Sequence, residues 1–287
     1  MQQRARSAAQ QGLSIDRRNA HAIVGRAWAK PFMGHWLAVI PEVRRAVAAA
    51  PNDGETNFML AMNLAMIGRS KEALEHANPI LDAGPTPGIY VWHSQMLWSA
   101  GHDDALDAML DQATKLYPTH FGVWFTRFYT AMLSGRPEAS LALAADTANW
   151  PTGIDAEEIE SVVRVAKAIQ SRDPSAVEAV TKEWMEQAHH GAGRAENAAQ
   201  FLSALGRLDE AFAVLRAYFF GEGFDAGEVR FARAQASFTP RNDRQTSFLF
   251  NPALKSARAD PRFAKLTVDL GLNNYWHASG QKPDYLS

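Results

Sequence analysis

Few side chains in this sequence stand at spacings that could do chemistry. The 287 residues include no cysteine, which excludes disulfides, thiolate metal sites, iron–sulfur clusters and a thiol nucleophile. No Gly-x-Gly-x-x-Gly, phosphate-loop, Gly-x-Ser-x-Gly or His-Glu-x-x-His pattern occurs. Nine histidines are scattered, and the one cluster is His189-His190. Adjacent side chains on a helix point in different directions, so this pair cannot hold one ion without a bend and reads as a solvated helix end. Glu157, Glu158 and Glu160 follow Pro151-Thr152-Gly153, and Asp103 and Asp104 follow Gly101. Negative charge at a helix start complements the macrodipole, which accounts for both groups without catalysis. The expectation is a chain with no catalytic set, no metal and no cofactor.

The elements that carry these residues belong to a folded chain. Hydrophobic residues make up 47%, charged residues 21% and aromatic residues 10%, enough for one large or two medium cores and too apolar for disorder. The formal charge of −2 gives no overall electrostatic case for nucleic acid or a membrane surface. Charge is nonetheless segregated. Residues 1–50 carry eight basic and two acidic side chains, residues 51–160 carry five and fifteen, and residues 161–287 carry sixteen and fourteen. The acidic middle reads as a solvated face or a region that steers a basic partner. Arg230, Arg233, Arg241, Arg244, Lys255, Arg258, Arg262 and Lys265 make the end basic, but no reading helix or aromatic RNA platform accompanies them. The opening Met1-Gln2-Gln3-Arg4-Ala5-Arg6 is not followed by the apolar run of a signal peptide. The longest stretch without a charged residue, 83–102, holds Pro85, Pro87, His93 and Gln95 and is not a membrane span. A cytoplasmic protein is the expectation.

A repeat organises the rest. Glycines at Gly34, Gly68, Gly101 and Gly135 are spaced 34, 33 and 34, and Pro51, Pro85, Pro118 and Pro151 are spaced 34, 33 and 33. The series interlock, so each period divides into two segments of helical length bounded by residues that stop helices. Phe58, Leu60, Ala61, Leu64 and Ala65 precede Gly68, and Ala73, Leu74, Ala77, Ile80 and Leu81 follow it at three- and four-residue steps. Each glycine is thus placed in a tight turn between antiparallel helices, where a left-handed residue is needed. Ser171 and Gly206 continue the series less regularly, and Asp173-Pro174 supplies an N-cap and a first-turn proline.

Gly68-Arg69-Ser70-Lys71-Glu72-Ala73-Leu74 and Gly206-Arg207-Leu208-Asp209-Glu210-Ala211-Phe212 resemble the turn and second-helix start of the tetratricopeptide (TPR) repeat. Pro51, Pro85 and Pro118 fit its terminal proline, Trp124 its first-helix tryptophan and Leu60 its leucine. Ala61 and Ser94 stand in place of the family glycine, and the Ser171 unit lacks the turn glycine. The resemblance implies an all-α fold, an α/α superhelical solenoid of about six TPR-like helix pairs, over residues 1–222. Residues 223–287 then form a C-terminal helical cap. Running the period backward places residues 3–13, with Ala5, Ala8, Ala9 and Leu13, as a second helix without its partner, so the chain is expected to begin inside a repeat. Asn251-Pro252 and Asp260-Pro261 start short helices, and Phe263, Leu266, Leu270, Leu272, Tyr275 and Trp276 are expected to cover the open end of the last helix pair. This tail resembles that of TPR regions in bacterial multidomain regulators with winged-helix or nucleotide cyclase domains.

The resemblance also implies a concave groove lined by the first helix of each pair. Its inward positions fall on Trp28, Met62, Gln95, Tyr129, Val165 and Gln200, with a second column of Val24, Phe58, Val91 and Phe125. Trp98 and Met132 lie one turn beyond the first column. The candidate partner-binding residues are therefore Trp28, Met62, Gln95, Trp98, Tyr129 and Met132, holding a protein or peptide through aromatic anchors and amide contacts. Large residues at helical spacing are also what a core between repeats would use, and both readings stay open. Gln95 favours the groove, since a buried amide needs a partner. The reading is a non-catalytic binding scaffold in a regulatory assembly. Its rivals are the sensor half of a larger regulator whose output domain lies upstream, and an enzyme or small-molecule binder that uses the aromatic groove as a pocket.

Overall fold

The computed structural model describes residues 2–30, 33–231 and 237–286, without the side chains of Gln2, Gln3, Ala5 and Ala83. Among them the chain is all-helical, with sixteen α-helices, short 3₁₀ turns and one isolated antiparallel bridge between Val229 and Phe238. None of these helices is long and apolar enough to cross a membrane. The chain forms two compact units, one of Met1–Thr86, Asn242–Ser247 and Lys265–Ser287, the other of Pro87–Arg241 and Phe248–Ala264.

The first unit begins with α1 (Gln2–Ile15), α2 (Ala20–Trp28), α3 (Trp36–Ala49), α4 (Gly54–Met66) and α5 (Ser70–Ala77). Asn19 caps α2 by accepting from the Ala22 N–H at 2.8 Å, and Asp53 caps α4 by accepting from the Thr56 N–H at 2.7 Å. Consecutive helices pack, α1 on α2, α2 on α3, α3 on α4 and α4 on α5. Their apolar stripes bury Ile23, Trp36, Ile40, Leu60 and Leu64, each such side chain worth about 1.5–3 kcal/mol of transfer free energy. Ala9 of α1 is buried, whereas Ala8 is exposed and Leu13 half-buried. The expected packing of Ala5 lies outside the described residues.

The second unit contains α6 (Pro87–Ala100), α7 (Asp103–Leu116), α8 (Phe121–Leu133), α9 (Pro137–Ala145), α10 (Ala156–Ser171), α11 (Pro174–Gln187), α12 (Ala192–Ala204), α13 (Leu208–Phe220) and the short α14 (Lys255–Ala259). Paired helices pack as expected, α6 on α7, α8 on α9, α10 on α11 and α12 on α13. Gly101, Gly135 and Gly206 take φ of 76°, 82° and 79° at three of the turns. At the fourth, Arg172 takes φ 55°, a conformation that costs an L-residue about 1–2 kcal/mol. Its guanidinium donates to the Ala204 carbonyl at 3.0 Å.

The last helices are α15 (Pro261–Asp269) and α16 (Leu272–Ser279). The sequence places residues 223–287 over the last helix pair, yet Leu266, Leu270, Leu272, Tyr275 and Trp276 belong to the first unit. The reason is hydrogen bonding. A helix end leaves carbonyls without partners, and at the end of α4 three successive ones are taken by downstream donors. The Thr246 hydroxyl donates to the Met66 carbonyl, the Trp276 indole to Ile67 at 3.0 Å and the Asp284 N–H to Gly68 at 2.8 Å. Arg69, at the N-cap of α5, makes no side-chain cap. Asp284 does so instead, its carboxylate accepting from the Lys71 N–H at 2.9 Å across 213 residues. The Trp36 indole donates to the Leu270 carbonyl at 3.3 Å. Gly271, at φ 74°, lies so close to the Gly34 backbone that a Cβ would sit 3.0 Å from its Cα.

Loss of a helix cap costs about 1 kcal/mol. Asp284→Ala should lower the unfolding free energy by about that amount in urea titration followed by helical circular dichroism, and deletion of residues 281–287 should cost at least as much. Unchanged midpoints for both would show that the tail contributes nothing to the first unit.

Candidate functional site

The in-phase positions of the first helices divide by depth. Trp28 on α2 and Met62 on α4 are half-buried in the first unit, and Gln95 on α6 and Tyr129 on α8 are half-buried in the second. Val165 and Gln200 are buried. One turn farther along, Trp98 is 3% exposed and Met132 0%. These two are core residues, not surface anchors: the Trp98 indole donates to the Ser134 hydroxyl at 2.7 Å, beyond the end of α8. Val24 and Phe58 are likewise buried, while Val91 and Phe125 keep partial exposure.

Tyr129 is the most heavily engaged of the six. The His120 imidazole caps its helix by accepting from the Gly122 N–H at 3.1 Å. The ring lies 5.5 Å from Phe125 and 6.0 Å from Phe128 on α8, and meets Phe201 of α12 edge-on at 5.3 Å. Trp184 of α11 meets Phe201 from another side at 4.6 Å. Edge-to-face contacts of this kind add about 0.5–1.5 kcal/mol each beyond the area they bury. The Tyr129 hydroxyl accepts from the Asn197 amide at 3.2 Å. Burial, with the Glu158 charge adding to it, pushes this phenol well above its ordinary range. It therefore stays neutral and can donate or accept a hydrogen bond. Beside it, Arg194 of α12 pairs with Glu158 of α10 and also donates to Gln187.

Gln200 resolves the question of a buried amide. Its Oε1 accepts from Asn251 Nδ2 at 2.8 Å, and its Nε2 donates to the Glu196 carbonyl at 3.2 Å. Glu196, one turn earlier on the same face, takes the Arg230 guanidinium at 3.1 Å. The sequence reading missed Glu196, Asn197, Arg230 and Asn251, because their partners are 34 to 68 residues away. One signal for the region was present: Gly191-Ala192-Gly193, two glycines at a helix start where only a turn residue is called for.

Charged side chains elsewhere are largely spent within the chain. Asp107 pairs with Arg136 at 2.6 Å and Asp111 with Arg127 at 2.7 Å in the acidic middle. Glu157, in the first turn of α10 as expected, pairs with Arg164 at 2.7 Å. In the basic end Arg241 reaches Asp225 at 3.2 Å, Arg262 reaches Asp209 at 2.7 Å and Lys265 reaches Asp269 at 3.0 Å. Arg233 lies outside the described residues. His189 stacks on Phe224 at 4.1 Å, and His190 stands 3.4 Å from Glu186. Among the described residues no three imidazole or carboxylate groups gather to hold a metal ion. The groups that do gather stack on and hydrogen-bond to one another. No protein-family model matches the sequence, and a search of curated proteins found no match to it.

Two imidazoles make the second unit sensitive to acid. His93 is buried on α6 with Nδ1 lacking a hydrogen-bond partner, and burial pulls its pKa below the ordinary 6.5. Burial lowers His120 in the same direction, and protonation at Nδ1 would also destroy its cap. Both are neutral in the fold, so the unfolded chain binds more protons below about pH 6.5 and stability falls as pH falls through that value. The urea midpoint should be higher at pH 8 than at pH 5.5, and His93→Leu should reduce the difference. A midpoint flat across this range would refute the assignment.

Proposed function

We propose that the chain is a non-catalytic, TPR-like binding module, an α/α superhelical solenoid that holds a protein or peptide segment on the face of its first helices within a regulatory assembly. The observation that carries this reading is the contrast in depth along the repeat. Trp28 and Met62 in the first unit, and Gln95 and Tyr129 in the second, keep partial exposure at in-phase positions, whereas Val165 and Gln200 at later ones are buried, as are Trp98 and Met132 one turn on from Gln95 and Tyr129. A tryptophan and a methionine left partly open at equivalent places on α2 and α4 are the side chains a helical or extended peptide uses as anchor points. Gln95 supplies an amide for backbone contacts. Tyr129 is committed to Asn197 and Phe201 and contributes shape more than a free anchor.

The test is selection from a random peptide library, followed by titration of the selected peptides against wild type, Trp28→Ala and Met62→Ala. Each substitution should weaken binding at least tenfold, about 1.4 kcal/mol, while the unfolding midpoint of the half-buried Met62→Ala stays near that of wild type. Failure to select any peptide, or unchanged affinity in both variants, would overturn the reading.

A further inference from the structure

After α13, residues 228–230 pair antiparallel with residues 237–239. The Arg230 N–H donates to the Ser237 carbonyl at 2.9 Å and the Thr239 N–H to the Glu228 carbonyl at 2.6 Å, with Val229 facing Phe238. The first arm crosses the start of α12. There the Ala192 N–H donates to the Val229 carbonyl at 2.7 Å and the Gly193 N–H to the Arg230 carbonyl at 2.8 Å. Only glycine permits this approach. A Cβ on Gly191 would stand 2.7 Å from the Arg230 carbonyl oxygen, and one on Gly193 would stand 2.8 Å from the same oxygen and 2.7 Å from the Phe231 ring.

From this stretch the Arg230 side chain then reaches the in-phase face. Arg230 pairs with Glu196 at 3.1 Å, a contact in which both groups are mostly buried and whose charge attraction raises the Arg230 pKa. Asn251, farther along the chain and outside this stretch, holds Gln200. Both residues that face the same way on α12, Glu196 and Gln200, are thus occupied by the chain's own C-terminal segment. The contacts made by Val229 and Arg230 are those of an extended peptide: two backbone carbonyls on a helix start and one guanidinium on a carboxylate.

We propose that the arm of residues 228–231 is an internal competitor on the first-helix face of α12. It fills the α12 end, and the partner that binds there is an extended segment with a basic residue that takes the place of Arg230 against Glu196. This rests on the peptide-binding reading above and names the chemistry of its partner at α12.

The probe is a fluorescein-labelled peptide of residues 224–242 of this chain, followed by anisotropy against the full chain. Wild type, with the face occupied, should bind it at least tenfold more weakly than Arg230→Ala, whose own arm is loosened. The same peptide carrying Arg230→Ala should lose the interaction. Equal binding to both chains, or binding to neither, overturns the proposal. Should Arg230→Ala fail to fold, native-state hydrogen exchange on wild type decides. The Arg230, Thr239 and Gly193 amides should exchange at least tenfold faster than Leu202 in the interior of α12, and equal rates would make the arm part of the core. Library peptides that bind wild type and Arg230→Ala alike, with no binding of 224–242 to either, would sink the competitor while leaving the binding module intact.

Discussion

Three consecutive carbonyl oxygens at the end of α4 set the architecture of the first unit. A helix cannot satisfy its own last carbonyls, and in a chain of helical hairpins every turn raises the same problem. At Met66, Ile67 and Gly68 the donors are Thr246, Trp276 and Asp284. This explains why the C-terminal residues group with the N-terminal hairpins, and why α5 has a cap although Arg69 cannot provide one. A local deficit in hydrogen bonding is met by residues far away in the chain.

The second unit follows the same logic at the opposite end of a helix. The first N–H groups of α12 need acceptors, and the Val229 and Arg230 carbonyls supply them through the gap left by Gly191 and Gly193. Asn251 then satisfies a buried amide at Gln200 that would otherwise be costly. With Tyr129, Phe201 and Trp184 packed edge to face, this end of the unit is held by specific contacts as well as by apolar burial. In the other hairpins the in-phase residues Trp28, Met62 and Gln95 keep partial exposure.

Much of this fold was legible in the sequence because its signals are local. A stripe at three- and four-residue steps, a left-handed turn residue and a following proline are short-range constraints, so the helix pairs and the turns at Gly68, Gly101, Gly135 and Gly206 could be placed from spacing alone. The irregular unit shows the limit of that reasoning: the left-handed residue is Arg172, next to the position the period picks out. Trp98 and Met132 show a second limit. Periodicity fixes the face of a helix, but their depth depends on what covers the end of that helix, as Ser134 does for Trp98. The destination of the tail was not legible at all, since no local pattern in Trp276 or Asp284 announces partners 209 and 213 residues away.

The proposed docking of a partner on the first-helix face puts Met62 of the first unit at the contact, whereas Met132 is buried in the second unit. Carbon-13 labelling of the methionine methyl groups reads both at once during titration with a selected peptide. The account predicts that the Met62 methyl signal moves in proportion to occupancy while that of Met132 holds still. A titration that saturates with Met62 unmoved would contradict it.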